Sequence, residues 1–101
     1  MTDVEINLAI ARLEYPDDEA YENGDQCWVE FDFYNETIYP DYCKNWSDIG
    51  PVIEREGMSI DFWESGHWTV NNSDTPSVST VAETPTKAAA LCYLKMKGVE
   101  R

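Results

Sequence analysis

A chain of 101 residues with 43% hydrophobic and 13% aromatic side chains makes one globular domain, too apolar for a disordered acidic tail. Its formal net charge of −13 disfavours direct contact with nucleic acid or an anionic membrane surface, both of which call for clustered Lys and Arg. The charge is lopsided: residues 1–36 hold eleven acidic side chains and one basic one, Arg12, so this stretch either serves a cationic partner or keeps the protein soluble.

The opening Met1-Thr2-Asp3-Val4-Glu5 has no basic stretch before an apolar one, so no signal peptide is expected. Thr2-Asp3-Val4-Glu5 instead has the pattern of a capping box, in which the Thr2 hydroxyl accepts from the Glu5 amide while Glu5 reaches back. Val4, Leu8, Ile10 and Ala11 give the helix behind it an apolar face, and Tyr15-Pro16 should close it. Residues 17–25 read as an acidic loop with an Asn23-Gly24 turn. Residues 27–34 then alternate with period two, the mark of a half-buried strand. Cys27, Val29, Phe31 and Phe33 face one way; Trp28, Glu30, Asp32 and Tyr34 face the other.

Tyr39-Pro40-Asp41 breaks the chain. A second helix is expected near Asn45, capped by Asn45 or Ser47, with Pro51 tolerable in its first turn and Gly57 at its end. Met58, Ile60 and Phe62 alternate with Ser59 and Asp61, and Ser65-Gly66 can turn the chain back into residues 67–71, a hairpin. Another strand is expected over residues 77–82. Thr84-Pro85 starts a closing helix to about Met96, with Ala88, Leu91, Cys92 and Leu94 inward. The predicted order is α-β-α-β-β-β-α in a single domain over residues 1–101. The class is α+β: an antiparallel sheet of three to four strands with helices packed on one face. The longest apolar run, residues 88–94, is far short of the ~20 residues of a membrane helix.

No catalytic motif stands out. Placing Gly24 at the sixth position of a calcium loop puts Glu19 first, Tyr21 third, Asn23 fifth and Glu30 twelfth, and Tyr at the third position breaks that pattern. Cys27, Cys43 and Cys92 are far apart and form no C-x-x-C chelate, so neither metal nor other cofactor is expected. An odd number of dispersed cysteines suits a reducing compartment, here the cytoplasm of a bacterial host. Cys43 with His67 is the one pair that could make a small enzyme or metal protein. A homo-oligomeric structural protein is a further alternative.

The constellation with the clearest physical rationale is an acidic and aromatic one. The expected loop residues Asp17, Asp18, Glu19, Glu22 and Asp25 lie beside the outward strand residues Trp28, Glu30, Asp32 and Tyr34. Aromatic rings supply contact area and carboxylates attract Arg or Lys, which is how protein interfaces anchor.

Three segments resemble a known family. They are Thr2-Asp3-Val4-Glu5-Ile6-Asn7, the central Cys43-Lys44-Asn45-Trp46-Ser47-Asp48-Ile49-Gly50-Pro51-Val52-Ile53 leading to Met58-Ser59-Ile60, and the closing Thr84-Pro85-Thr86-Lys87-Ala88-Ala89-Ala90-Leu91-Cys92-Tyr93-Leu94-Lys95-Met96. In this order they are similar to the NinX-like family of small proteins from temperate phages and prophages of enteric bacteria. The chain departs from that pattern at Gly50, where an aromatic is usual, and in its acidic loop. The resemblance implies an origin and a cytoplasmic setting rather than a mechanism. With it, the sequence leads to a non-enzymatic accessory protein that binds a basic surface on a host or defence protein. Such a surface normally holds nucleic acid, and a compact patch of carboxylates can imitate a short length of DNA, with its charge every ~1.7 Å of axis.

Overall fold

The computed structural model describes residues 2–31, 36–63, 66–72 and 79–99, with the side chains of Trp63 and Ser79 left aside. Helix α1 spans Asp3–Glu14. Its capping box forms as expected: the Glu5 amide donates to Thr2 Oγ1 at 3.3 Å and the Thr2 amide to Glu5 Oε1 at 3.0 Å. Strands β1 (Glu19–Asn23), β2 (Gln26–Phe31) and β3 (Glu36–Ile38) follow as an antiparallel sheet in the order β1-β2-β3. Helix α2 (Trp46–Glu56) leads to a second antiparallel sheet of β4 (Met58–Trp63), β5 (His67–Asn72) and β6 (Ser79–Ala82), and α3 (Pro85–Met96) closes the chain.

The α+β class is as expected from sequence, and so is the succession of helices and strands, apart from the added strands β1 and β3. The strands form two sheets of three rather than one sheet. The acidic loop contains β1, which pairs with β2 through a two-residue connection, Gly24-Asp25. Gly24 has a φ of 64°, the left-handed conformation that a two-residue hairpin needs at its first loop position. The strand is hidden in the sequence because, of the two residues on its inner side, Ala20 is half-buried and Glu22 is charged and exposed, and the other three residues are exposed. Residues 32–35, which include the expected strand positions Asp32, Phe33 and Tyr34, lie outside the described residues.

Pro51 is a further difference. It is the sixth residue of α2, past the first turn, where it can donate no hydrogen bond to the preceding turn. Gly50, which has no Cβ, avoids the clash that proline's ring makes with the Cβ of the residue before it. No atom outside the chain neighbours lies within 4 Å of where that Cβ would be, so packing does not demand glycine here.

Helix α1 packs on β1 and β2, α3 packs on β4, β5 and β6, and the two helices pack on each other. The core runs along that junction through Ile6, Ile10, Ala11, Val29, Ile49, Val52, Val70, Cys92 and Leu94. Ala88, Ala89 and Ala90 are all fully buried, and their small side chains let α3 approach α1, α2 and the second sheet closely. A buried polar joint reinforces the packing. Asn7 on α1 accepts from the Cys43 amide at 3.2 Å and donates to Asp41 at 3.1 Å, while Thr86 on α3 donates to the Cys43 carbonyl at 2.6 Å. Every partner in this joint is satisfied, which is what makes a polar group tolerable inside a core.

Candidate functional site

The alternation along β2 buries Cys27 and Val29 under α1 and turns Trp28 and Glu30 to the opposite side of the first sheet. Register then decides what stands beside them. Tyr21 is directly opposite Trp28, and Glu19 is directly opposite Glu30. On the other flank Val29 pairs with Ile38, so Tyr39 continues the line of Trp28. The result is one row of three aromatic rings across the sheet. Tyr21 stacks on Trp28 with centroids 5.8 Å apart, and Tyr39 lies 6.5 Å from Trp28 on its other side. Trp28 is half-buried between its neighbours, whereas Tyr21 is 40% and Tyr39 62% exposed. Two residues along, roughly 7 Å further by strand rise, Glu19 and Glu30 form a second row. Both are exposed.

The other residues expected at a partner site are placed more variously. Asp17 and Asp18 occupy the turn between α1 and β1, with the Asp18 amide donating to the Tyr15 carbonyl at 3.2 Å. Glu22 stands opposite Cys27, on the helix side of the sheet, and lines a groove of about 390 Å³ with Leu8, Arg12, Leu13 and Val99. Asp25, in the hairpin loop, borders a separate depression with Asp3, Asp41 and Lys44. Asp32 and Tyr34 fall outside the described residues. Trp28, Glu30 and Glu19 therefore share one face, and Glu22 does not. Sequence reasoning missed Tyr21 and Tyr39. The Asn23-Gly24 turn was the available signal for Tyr21, since a hairpin there brings it across from Trp28.

Three of the chain's cations, Arg55, Lys87 and Lys97, are engaged elsewhere, while Arg12 lines the groove that Glu22 borders and Lys44 the depression that Asp25 borders. Among the described residues, the salt bridges join Arg55 to Glu14 and Glu56, Lys87 to Asp3, and Lys97 to Glu56. None of these involves Asp17, Asp18, Glu19, Glu22, Asp25 or Glu30. In the first of them Arg55 donates to both oxygens of Glu14, each at 2.9 Å, and its guanidinium carbon lies 5.8 Å from the centre of the Tyr93 ring.

The Cys43–His67 alternative finds little support in the geometry. Cys43 is 1% exposed, and burial, with the charges of Asp3 and Asp41, pushes its thiol up to about 12. An activated thiolate needs the reverse. His67 is exposed at the start of β5. Among the described residues, no three His, Cys, Asp or Glu side chains come together as a metal site would require, and no helix is long and apolar enough to cross a membrane.

A comparison with curated proteins finds no match. The family model described as Bacteriophage P22, NinX matches residues 1–97, a span that takes in every helix and strand from α1 to α3. The chain thus belongs to the NinX family of phage proteins.

Proposed function

We propose that this phage accessory protein catalyses no reaction and acts by binding a basic surface on a host or defence protein. The outer face of the β1-β2-β3 sheet, with the neighbouring Asp17-Asp18 turn, is the contact surface. The observation that carries this reading is the pairing of an aromatic row, Tyr21, Trp28 and Tyr39, with two directly opposed carboxylates, Glu19 and Glu30. Like charges placed directly opposite in a sheet work against stability. A cation from outside offsets that repulsion, while the rings supply the apolar contact that anchors interfaces.

Carboxylates steer association and make it sensitive to salt. On a nucleic-acid-binding partner, they occupy the place of phosphates. The test is capture from host lysate by wild-type protein and by the Glu19→Gln/Glu30→Gln double variant, at rising salt. The reading expects one host protein retained at low salt, released as salt rises, and displaced by nucleic acid. The double variant should retain markedly less of it. Equal capture by both proteins at every salt concentration would count against the reading.

A further inference from the structure

We infer that the outer face of the first sheet selects arginine over lysine, its occupant being an arginine-bearing segment of a partner protein. This rests on the proposed function and narrows it to one side-chain chemistry. The chain itself contains an instance of the arrangement required. Arg55 is held by two carboxylates and a ring at once: Glu14 through two hydrogen bonds, Glu56 through one at 2.9 Å, and the face of Tyr93 at 5.8 Å.

The sheet presents the same components with a different connectivity. Glu19 and Glu30 oppose each other across β1 and β2, and two residues along, on the same side, lie Tyr21 and Trp28, with Tyr39 beyond. A strand step of two residues separates the rows by roughly 7 Å, close to the ~6 Å over which a cation and a ring attract. Tyr21 and Trp28 turn their faces to each other, so a guanidinium would lie on Tyr39, the most exposed ring of the row, and direct its fork at the neighbouring carboxylate of Glu30.

Three features favour arginine. A planar guanidinium stacks on an aromatic face, which a tetrahedral ammonium does not. Its donors point in several directions and can serve two carboxylates, whereas lysine acts as a point charge. The overall charge of −13 draws cations to the surface without distinguishing between them, so discrimination has to come from the rings. A segment of protein, rather than free arginine, is the fitting occupant. The outer rings of the row are exposed, Tyr39 at 62%, and such an open face binds through several contacts rather than by enclosing one small molecule.

The test uses the full chain and two synthetic nine-residue peptides of equal charge, one alternating arginine with glycine and the other lysine with glycine. Affinity and the Trp28 indole resonance are followed by NMR titration in wild type, Tyr39→Ala and Glu30→Gln. Tyr39 and Glu30 are exposed, so both variants should fold, and each is checked by its amide spectrum. The expected result is arginine-peptide binding about three- to fivefold tighter than lysine-peptide binding, with the Trp28 indole shifted. The advantage should shrink in both variants. Equal, salt-dependent binding of the two peptides would overturn arginine selection and leave the basic-partner reading standing. An arginine advantage undiminished in either variant would place the selection elsewhere and also overturn it. Failure of both peptides to bind at low salt would overturn both readings.

Discussion

Arg55 near the end of α2 donates from Nη1 and Nη2 to the two oxygens of Glu14 at the end of α1, both at 2.9 Å, across 41 residues of sequence. Tyr93 of α3 completes the contact by donating its hydroxyl to Glu14 Oε2 at 2.8 Å. One carboxylate thus ties together all three helices. Burial would raise the Glu14 carboxyl, but hydrogen bonds from Arg55 and Tyr93 and the charges of Arg55 and Lys97 outweigh it and hold it below the ordinary 4.5. A depressed native value means that Glu14 stabilises the fold fully above 4.5 and loses that effect as pH falls through the native value. Glu14→Gln should cost about 1–3 kcal/mol at neutral pH. In urea unfolding, the gap between wild type and variant should narrow in acid. A gap independent of pH would contradict the assignment.

Glu30→Gln should act in the opposite direction. Removing one of two directly opposed like charges should stabilise the protein by about 0.2–1 kcal/mol while weakening partner binding. The combination is informative because a purely solubilising carboxylate has no binding to lose. Thermal unfolding and partner affinity on the same variant check it, and a variant less stable than wild type would contradict the like-charge account.

Asn7→Ala should be among the most damaging substitutions of a polar residue. It leaves the Cys43 amide without its acceptor in a buried site, a loss of about 1–3 kcal/mol, and breaks the link to Asp41. Chemical denaturation should show a lower midpoint with an unchanged slope. A midpoint equal to wild type would mean that the joint is not needed.

The three cysteines are buried, and burial pushes the Cys27 thiol up to about 11 and that of Cys43 up to about 12. At pH 8 the folded protein should react with a thiol reagent far more slowly than the unfolded chain, which should titrate all three groups. Cys43→Ser should retain partner binding. Rapid modification of Cys43 in the folded state would revive a catalytic role for it.

How far the sequence reveals this architecture depends on what each feature rests on. Trp28 and Glu30 were legible because β2 buries one side and exposes the other, leaving a clean alternation. The capping box of α1 and the Thr84-Pro85 start of α3 were legible because they are local backbone chemistry. Strand β1 was obscure because the inner side of this edge strand carries an alanine and a glutamate, Ala20 and Glu22, and so has no apolar period. The three-residue β3 is too short to display one. Misreading β1 as loop also concealed that Glu22 has the parity of Cys27 and faces the helix side. Tyr39 joins the aromatic row, and Arg55 meets Glu14, through tertiary placement that no local spacing encodes.

The most direct measurement is amide chemical-shift mapping of the labelled protein bound to the host protein it captures. The account predicts that perturbations concentrate on Glu19, Tyr21, Trp28, Glu30, Thr37 and Tyr39, along one face of the β1-β2-β3 sheet. Perturbations confined to the β4-β5-β6 sheet or to α2, with that face unchanged, would contradict it.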